Sequence, residues 1–177
     1  GDDLTHAETR QALDTIMART ADMYRRGIDC DVLTVDNHAD GIYLYLKLLP
    51  DEPARAEKVL KQLKWNGGGR FSSGVGIGAV DSIGNVHADQ FWSHYSFGNV
   101  RERKFSEIWM DRSDPLMAGL KDRLPLLKGK CGRCDWQEAC GGALRVRADL
   151  VHHDPWAEDP ACYLTEAEIS INAPART

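Results

Sequence analysis

Four cysteines near the end of the chain have the clearest chemical potential. They form the pattern C-x2-C-x5-C, followed by a fourth cysteine 22 positions later: Cys131, Cys134, Cys140 and Cys162. Two intervening residues let one tight turn direct two thiolates at a common centre, as in zinc and iron–sulfur sites. The spacing predicts a metal site, leaves zinc and an iron–sulfur cluster equally open, and ranks two disulfides below both.

The residues around the cysteines support a metal site without selecting the metal. Gly132 and the pair Gly141-Gly142 allow close backbone approach and offer N–H donors to sulfur, and Trp136 can shield the site from water. The segment 128–147 is also predominantly basic, with Lys128, Lys130, Arg133, Arg145 and Arg147 against Asp135 and Glu138. The fifth cysteine, Cys30, lies far away and is predicted to be a spare or buried thiol.

Composition excludes several classes of protein. The 177 residues carry a net charge of -5 with a pI near 5.7, which argues against a nucleic-acid partner. No apolar run approaches the roughly 20 residues that span a bilayer, and no secretory signal opens the chain. We therefore expect a soluble, cytoplasmic protein without a membrane partner. Because the chain starts at Gly1 and not at Met, we also expect it to be part of a longer protein.

The elements that must position the cysteines begin with an αβα pattern. Residues 5–26 have helical periodicity after a Thr5 and Glu8 capping box, and a second amphipathic helix is predicted from 51–53 to about 64. Between them, 31–35 is short and β-branched, which predicts a strand of a parallel sheet. The apolar run 42–49 suits either a helix or a strand. The predicted fold class is α/β.

The pattern changes after residues 66–70, where we place a subdomain boundary. A β-hairpin is predicted from strands 75–80 and 86–92 with the turn 81–85. Two short helices follow, at 105–111 and 114–124, with Ser113 or Asp114 as cap of the second. The predicted division is 1–66 and 67–177.

Several motifs together resemble a known family. The C-x2-C-x5-C group with its distal cysteine resembles the SPASM or twitch auxiliary-cluster extension of radical S-adenosylmethionine enzymes, as do residues 84–86, 97–100 and 105–109. Four further segments resemble the members of that family that act in haem d1 biosynthesis: 34–41, 68–74, 87–92 and 154–162. The likeness covers nearly the whole chain.

The resemblance implies a cofactor set and a reaction. Cys131, Cys134, Cys140 and Cys162 would hold one auxiliary [4Fe-4S] cluster, since relatives with two clusters have a further cysteine where this chain has Asp89. Residues 1–66 would be the last units of a partial (β/α) barrel. S-adenosylmethionine and a second [4Fe-4S] cluster would be bound by a C-x3-C-x2-C motif that these 177 residues lack. This portion alone is therefore expected to be inactive.

The implied substrate is the tetrapyrrole didecarboxysirohaem, which would lose propionate side chains, and an electron-donor protein is an expected partner. His38, in the turn after the predicted strand, is a candidate to donate a proton or bind a propionate; Asn37 and Arg70 are candidate substrate contacts. The alternative is that Asp36 or Asn37 caps the next helix, that His38 is an ordinary loop side chain and that Arg70 is solvated. A second interpretation of the whole chain is a non-catalytic binding module with a structural four-cysteine zinc site.

Overall fold

The computed structural model describes residues 3–170, which form a helix-rich arrangement with one small sheet. The helices are α1 (His6–Arg25), α2 (Ala39–Leu48), α3 (Pro53–Asn66), α4 (Phe105–Met110), α5 (Pro115–Lys121), α6 (Gly129–Gly132), α7 (Gln137–Cys140), α8 (Arg145–His152) and α9 (Glu166–Ile169). The strands are β1 (Ala79–Val80) and β2 (Val86–His87), and 3-10 turns lie at Gly68–Phe71 and Leu124–Leu126. Within residues 3–170, no helix is both long and apolar enough to cross a bilayer.

The first helix begins where its capping residues predict. The Thr5 side chain accepts a hydrogen bond from the Glu8 backbone N–H, and the Glu8 carboxylate accepts one from the Thr5 backbone at 2.7 Å. Further along α1, Arg10 forms a bidentate ion pair with Glu168 of α9, both bonds being 2.8 Å long. The helix is thereby attached to the far end of the chain.

The predicted strand at 31–35 is wrong. These residues form no strand, and Val32, Leu33 and Val35 are exposed. A strand is stabilised by a ladder with a neighbour, and the only sheet in the described part of the chain pairs β1 with β2. The ambiguous run that follows is a helix: α2 buries Ile42, Tyr43 and Tyr45 and packs against α3, which also forms as predicted.

The predicted hairpin is confirmed but is shorter than expected. Ala79 pairs with His87 and Val80 with Val86, in antiparallel register. Residues 75–77 do not extend β1, because their three N–H groups all turn back to the Ser72 carbonyl. The two short helices, α4 and α5, are also confirmed, and the Asp114 carboxylate caps α5 at 2.8 and 3.0 Å.

Two apolar clusters form the interior. One combines α1, α2 and α3 with the segments that carry the cysteines, and includes Leu13, Ile42, Ala56, Trp136 and Tyr163. The other contains Ala88, Trp92, Leu120, Leu144 and Val146. The partial-barrel and SPASM or twitch assignments, and the division into 1–66 and 67–177, stay predictions.

Candidate metal site and adjoining turn

The four predicted cysteines meet at one cavity. Cys131 lies in α6, Cys134 between α6 and α7, Cys140 at the end of α7, and Cys162 ahead of α9. All four line the same cavity, together with Ile42, Trp136 and Leu164, and none forms a disulfide. Cys30 is exposed and does not line it.

Close backbone packing brings the cysteine segments together. Gly68, with φ of 53°, approaches so closely that a Cβ there would lie 2.6 Å from the Ala139 carbonyl oxygen and 2.7 Å from that of Cys140. The Gln137 side-chain amide donates to the carbonyls of Cys131 and Gly132, both at 2.9 Å, which joins the start of α7 to α6. Only glycine fits at position 68 without a shift of α7.

Trp136 forms an apolar wall of the cavity. Its indole N–H donates to the Glu168 carbonyl at 2.7 Å, and its ring meets the edge of Tyr45 with centroids 5.2 Å apart. Only 4% of the residue is exposed. The shielding role suggested by the sequence therefore agrees with its position.

The surroundings of three of the four thiols disfavour the anionic form. Burial raises the pKa of Cys134 to about 11 and raises the pKa of Cys140 and Cys162 as well, and the neighbouring cysteines add to each increase. Other groups act in the opposite direction: the Lys130 ammonium, which lines the cavity, and the Leu164 backbone lower the pKa of Cys162, and the Trp136 backbone lowers that of Cys134. The Asp159 backbone N–H donates a hydrogen bond to the Cys131 Sγ at 3.4 Å. A bound cation is what would stabilise all four thiolates together.

The charge behind the cavity wall fits an anionic thiolate cluster. Arg145 is fully buried, donates only to backbone carbonyls, and has an Nε–H without a partner. A Cβ on Gly142, which lines the cavity, would lie 3.2 Å from that Nε. A buried cation needs a nearby anion, and four metal-bound thiolates would provide one.

The cysteines surround a cavity without converging on a point. Among residues 3–170, no three His, Cys, Asp or Glu side chains form a group that could hold a single metal ion. Tetrahedral zinc would bring its sulfurs within about 3.8 Å of one another, given a Zn–S distance of about 2.3 Å. The structure thus places the four cysteines at one cavity, and their roles as metal ligands stay a prediction.

The turn at residues 36–38 adjoins this cavity. Asn37 lines it, and its side chain accepts from the Ala39 N–H and donates to the Ala161 carbonyl, both at 3.3 Å. The Asn37 side chain thus binds the first backbone N–H of α2, in line with the structural alternative for this residue, although the N-cap residue itself is His38. His38 is half-buried, and burial, followed by the charges of Arg147 and Arg123, lowers its pKa. The lowered pKa favours the neutral form of the imidazole.

Arg70 lies on an adjoining segment and does not line the cavity. Its backbone packs against Gly141, where a Cβ would lie 2.4 Å from the Arg70 nitrogen. Its guanidinium is 5.3 Å from the ring centroid of Phe71. Of the two candidate substrate contacts, Asn37 therefore lines the cysteine cavity, whereas Arg70 does not.

Sequence reasoning missed an ion pair at the cavity. Arg147 of α8 binds the buried carboxylate of Asp159 through two parallel bonds of 2.9 and 2.6 Å, and Asp159 lines the cavity. The third arm of the guanidinium donates to the Asp36 carbonyl at 2.7 Å. No periodic pattern links positions 36, 147 and 159, so only the basic character of the region hinted at this pair.

Comparison with known proteins gives strong matches along nearly the whole chain. It is 57% identical over 171 residues to the Fe-coproporphyrin III synthase of Methanosarcina barkeri, a match that covers 95% of this chain and 42% of that protein. It is 43% identical over 170 residues to the pre-heme d1 synthase of Dinoroseobacter shibae, with 95% and 41% covered. An AdoMet-dependent heme synthase of Methanosarcina barkeri is 36% identical over 89 residues, with 50% and 24% covered.

The chain is a homologue of these tetrapyrrole synthases. The resemblance to radical S-adenosylmethionine enzymes that act on haem-type tetrapyrroles, inferred from the sequence motifs, is thereby confirmed. The homologous region spans about two fifths of the length of the first two synthases. No protein-family profile and no solved structure matches the chain.

Proposed function

We propose that this chain is the cluster-binding, substrate-holding part of a radical S-adenosylmethionine enzyme that acts on a haem-type tetrapyrrole. The identity of 57% to the Fe-coproporphyrin III synthase, along 95% of the chain, carries this proposal. S-adenosylmethionine and the cluster that cleaves it would be bound outside these 177 residues, which lack C-x3-C-x2-C. The full-length protein would be the active enzyme, and an electron-donor protein its partner.

The four cysteines at the shared cavity would hold the auxiliary [4Fe-4S] cluster. Each thiolate would bind a different iron, so the ligands need not converge on one point as they would around zinc. When bound, such a cluster supplies one-electron transfer. The chain would support it through the Asp159 N–H bond to Cys131, through the cations Lys130 and Arg145, and through the apolar wall formed by Trp136.

The substrate proposed for the full-length enzyme is didecarboxysirohaem. The higher identity to the Fe-coproporphyrin III synthase than to the pre-heme d1 synthase favours Fe-coproporphyrin III as the product. Coproporphyrin keeps its propionates, so other side chains would be removed in that case. Loss of propionates, as in the haem d1 interpretation of the motifs, is the second candidate. Asn37 and His38 would contact the substrate beside the cluster.

Product analysis with the full-length enzyme tests the proposal. The enzyme, reduced anaerobically with S-adenosylmethionine and didecarboxysirohaem, is expected to give a product that retains its propionates, measured by mass spectrometry. A product without two propionates would favour the haem d1 reaction. Turnover of neither kind, in a protein shown to cleave S-adenosylmethionine, would contradict the proposed substrate.

A further inference from the structure

The Arg147–Asp159 ion pair joins the cysteine cavity to the turn at residues 36–38. We infer that this pair couples occupancy of the four-cysteine site to the geometry of the turn, so that Arg147 is a positioning residue. The inference rests on the proposed cluster function. It assigns to Arg147 and Asp159 a role in presenting Asn37 and His38 to a tetrapyrrole.

Asp159 is in contact with two of the predicted ligand segments. Its backbone N–H donates to the Cys131 Sγ at 3.4 Å, and its carbonyl accepts from the Cys162 N–H at 3.0 Å. Its carboxylate also accepts from the Ala161 N–H at 3.1 Å, and only 4% of the residue is exposed. Any movement of Cys131 or Cys162 on metal binding must therefore move or fix this carboxylate.

Arg147 connects the Asp159 carboxylate to the turn. All three nitrogens of its guanidinium are engaged: Nε and Nη2 bind Asp159, and Nη1 binds the Asp36 carbonyl. Because the guanidinium is planar and rigid, its three bonds fix one relative placement of the two segments. A lysine has the same charge but lacks the planar guanidinium, so it cannot reproduce these three hydrogen bonds in the same geometry.

The turn needs such an external restraint. Asp36 has a φ of 64°, in the left-handed region, where a residue other than glycine is strained. The bond from Arg147 holds its carbonyl in that conformation, and the Asn37 amide adds a second link to the Ala161 carbonyl at 3.3 Å. His38 follows these two restrained residues and directly precedes α2.

Hydrogen exchange measured by mass spectrometry, before and after anaerobic loading with iron and sulfide, tests the coupling. In the wild-type chain, loading is expected to slow amide exchange at residues 36–40 at least tenfold. In Arg147→Lys, loading is expected to slow exchange at 159–162 but to leave 36–40 unchanged. A purely structural role for Arg147 would change exchange equally in loaded and unloaded protein.

Arg133→Lys is the matched control. Arg133 is a neighbour of Cys134, and its guanidinium forms an ion pair with Glu166 at 2.7 Å on the surface. This variant is expected to behave as the wild type, since it keeps the charge near the cysteines.

The outcomes separate the coupling from the proposed function. Iron bound with unchanged exchange at 36–40 in the wild-type chain overturns the coupling alone, and this comparison decides the matter even where the Arg147 variant does not fold. If loading slows amide exchange at residues 36–40 in Arg147→Lys as much as in the wild type, the role of Arg147 is overturned. Failure of the wild-type chain to bind iron overturns the proposed cluster and the coupling with it.

Discussion

The cysteine cavity is lined by thiols that are poorly suited to carry a negative charge without a bound metal. Burial raises the pKa of Cys134, Cys140 and Cys162, so these thiols are protonated at pH 7 in the metal-free chain. The nearby cations Lys130 and Arg145 offset only part of the charge of four thiolates. Metal binding must therefore be accompanied by loss of the thiol protons.

A pH dependence follows from the raised thiol pKa values. Metal binding must displace the thiol protons, so the apparent affinity for metal falls as the pH is lowered and rises as the pH approaches the thiol pKa values. We expect metal loading of the chain to be at least tenfold weaker at pH 6 than at pH 8, measured by competition with a chelator of known pH dependence. Equal affinity at the two pH values would mean that the thiolates are already formed in the metal-free protein.

At the scale of elements, local signals predicted the helices and missed the long-range contacts. The capping box at Thr5 and the Asp114 cap act within four residues, so α1 and α5 follow from the sequence alone. The strand prediction at 31–35 was wrong because a strand depends on pairing with a neighbouring strand, which the segment itself does not specify. The Arg147–Asp159 pair was missed for the same reason, since side chains that meet across the fold leave no periodic signal.

The bond between α1 and α9 gives a prediction about acid stability. Arg10 lowers the pKa of Glu168 to about 2, followed by weaker effects from the Thr165 cap. A depressed carboxyl pKa stabilises the fold above the unfolded value near 4.5, and that contribution disappears as the pH falls from about 5 toward 2. Glu168→Gln is expected to lower the free energy of unfolding by about 1 kcal/mol at pH 7, with screening by solvent included.

Urea denaturation at several pH values measures this contribution. The difference between wild type and Glu168→Gln is expected to shrink steadily below pH 5. Glu52→Gln, which removes the exposed pair with Arg55, serves as the control and should change stability by a few tenths of a kcal/mol at most. A Glu168→Gln difference that is constant from pH 7 to pH 3 would show that the ion pair does not stabilise the fold.

At the scale of the whole molecule, the candidate site and the first apolar cluster are one structure. That cluster includes residues of α1, α2 and α3 and also Trp136, Tyr163 and the side chains of Cys134 and Cys162. The sequence predicted the four cysteines and the turn at 36–38 as candidate site residues, because spacing and residue type carry that information. It did not reveal that α2 forms a wall of the same cavity, because this depends on packing between distant segments.

The metal content of the chain tests the central claim most directly. After anaerobic reconstitution, we expect about four irons and four sulfides per chain, with the brown absorption of a [4Fe-4S] cluster. Cys140→Ala should abolish both, whereas Cys30→Ala should retain them, because Cys30 is exposed and lies outside the cavity. A colourless wild-type chain that holds stoichiometric zinc, or equal loss of iron in the two cysteine variants, would contradict the account.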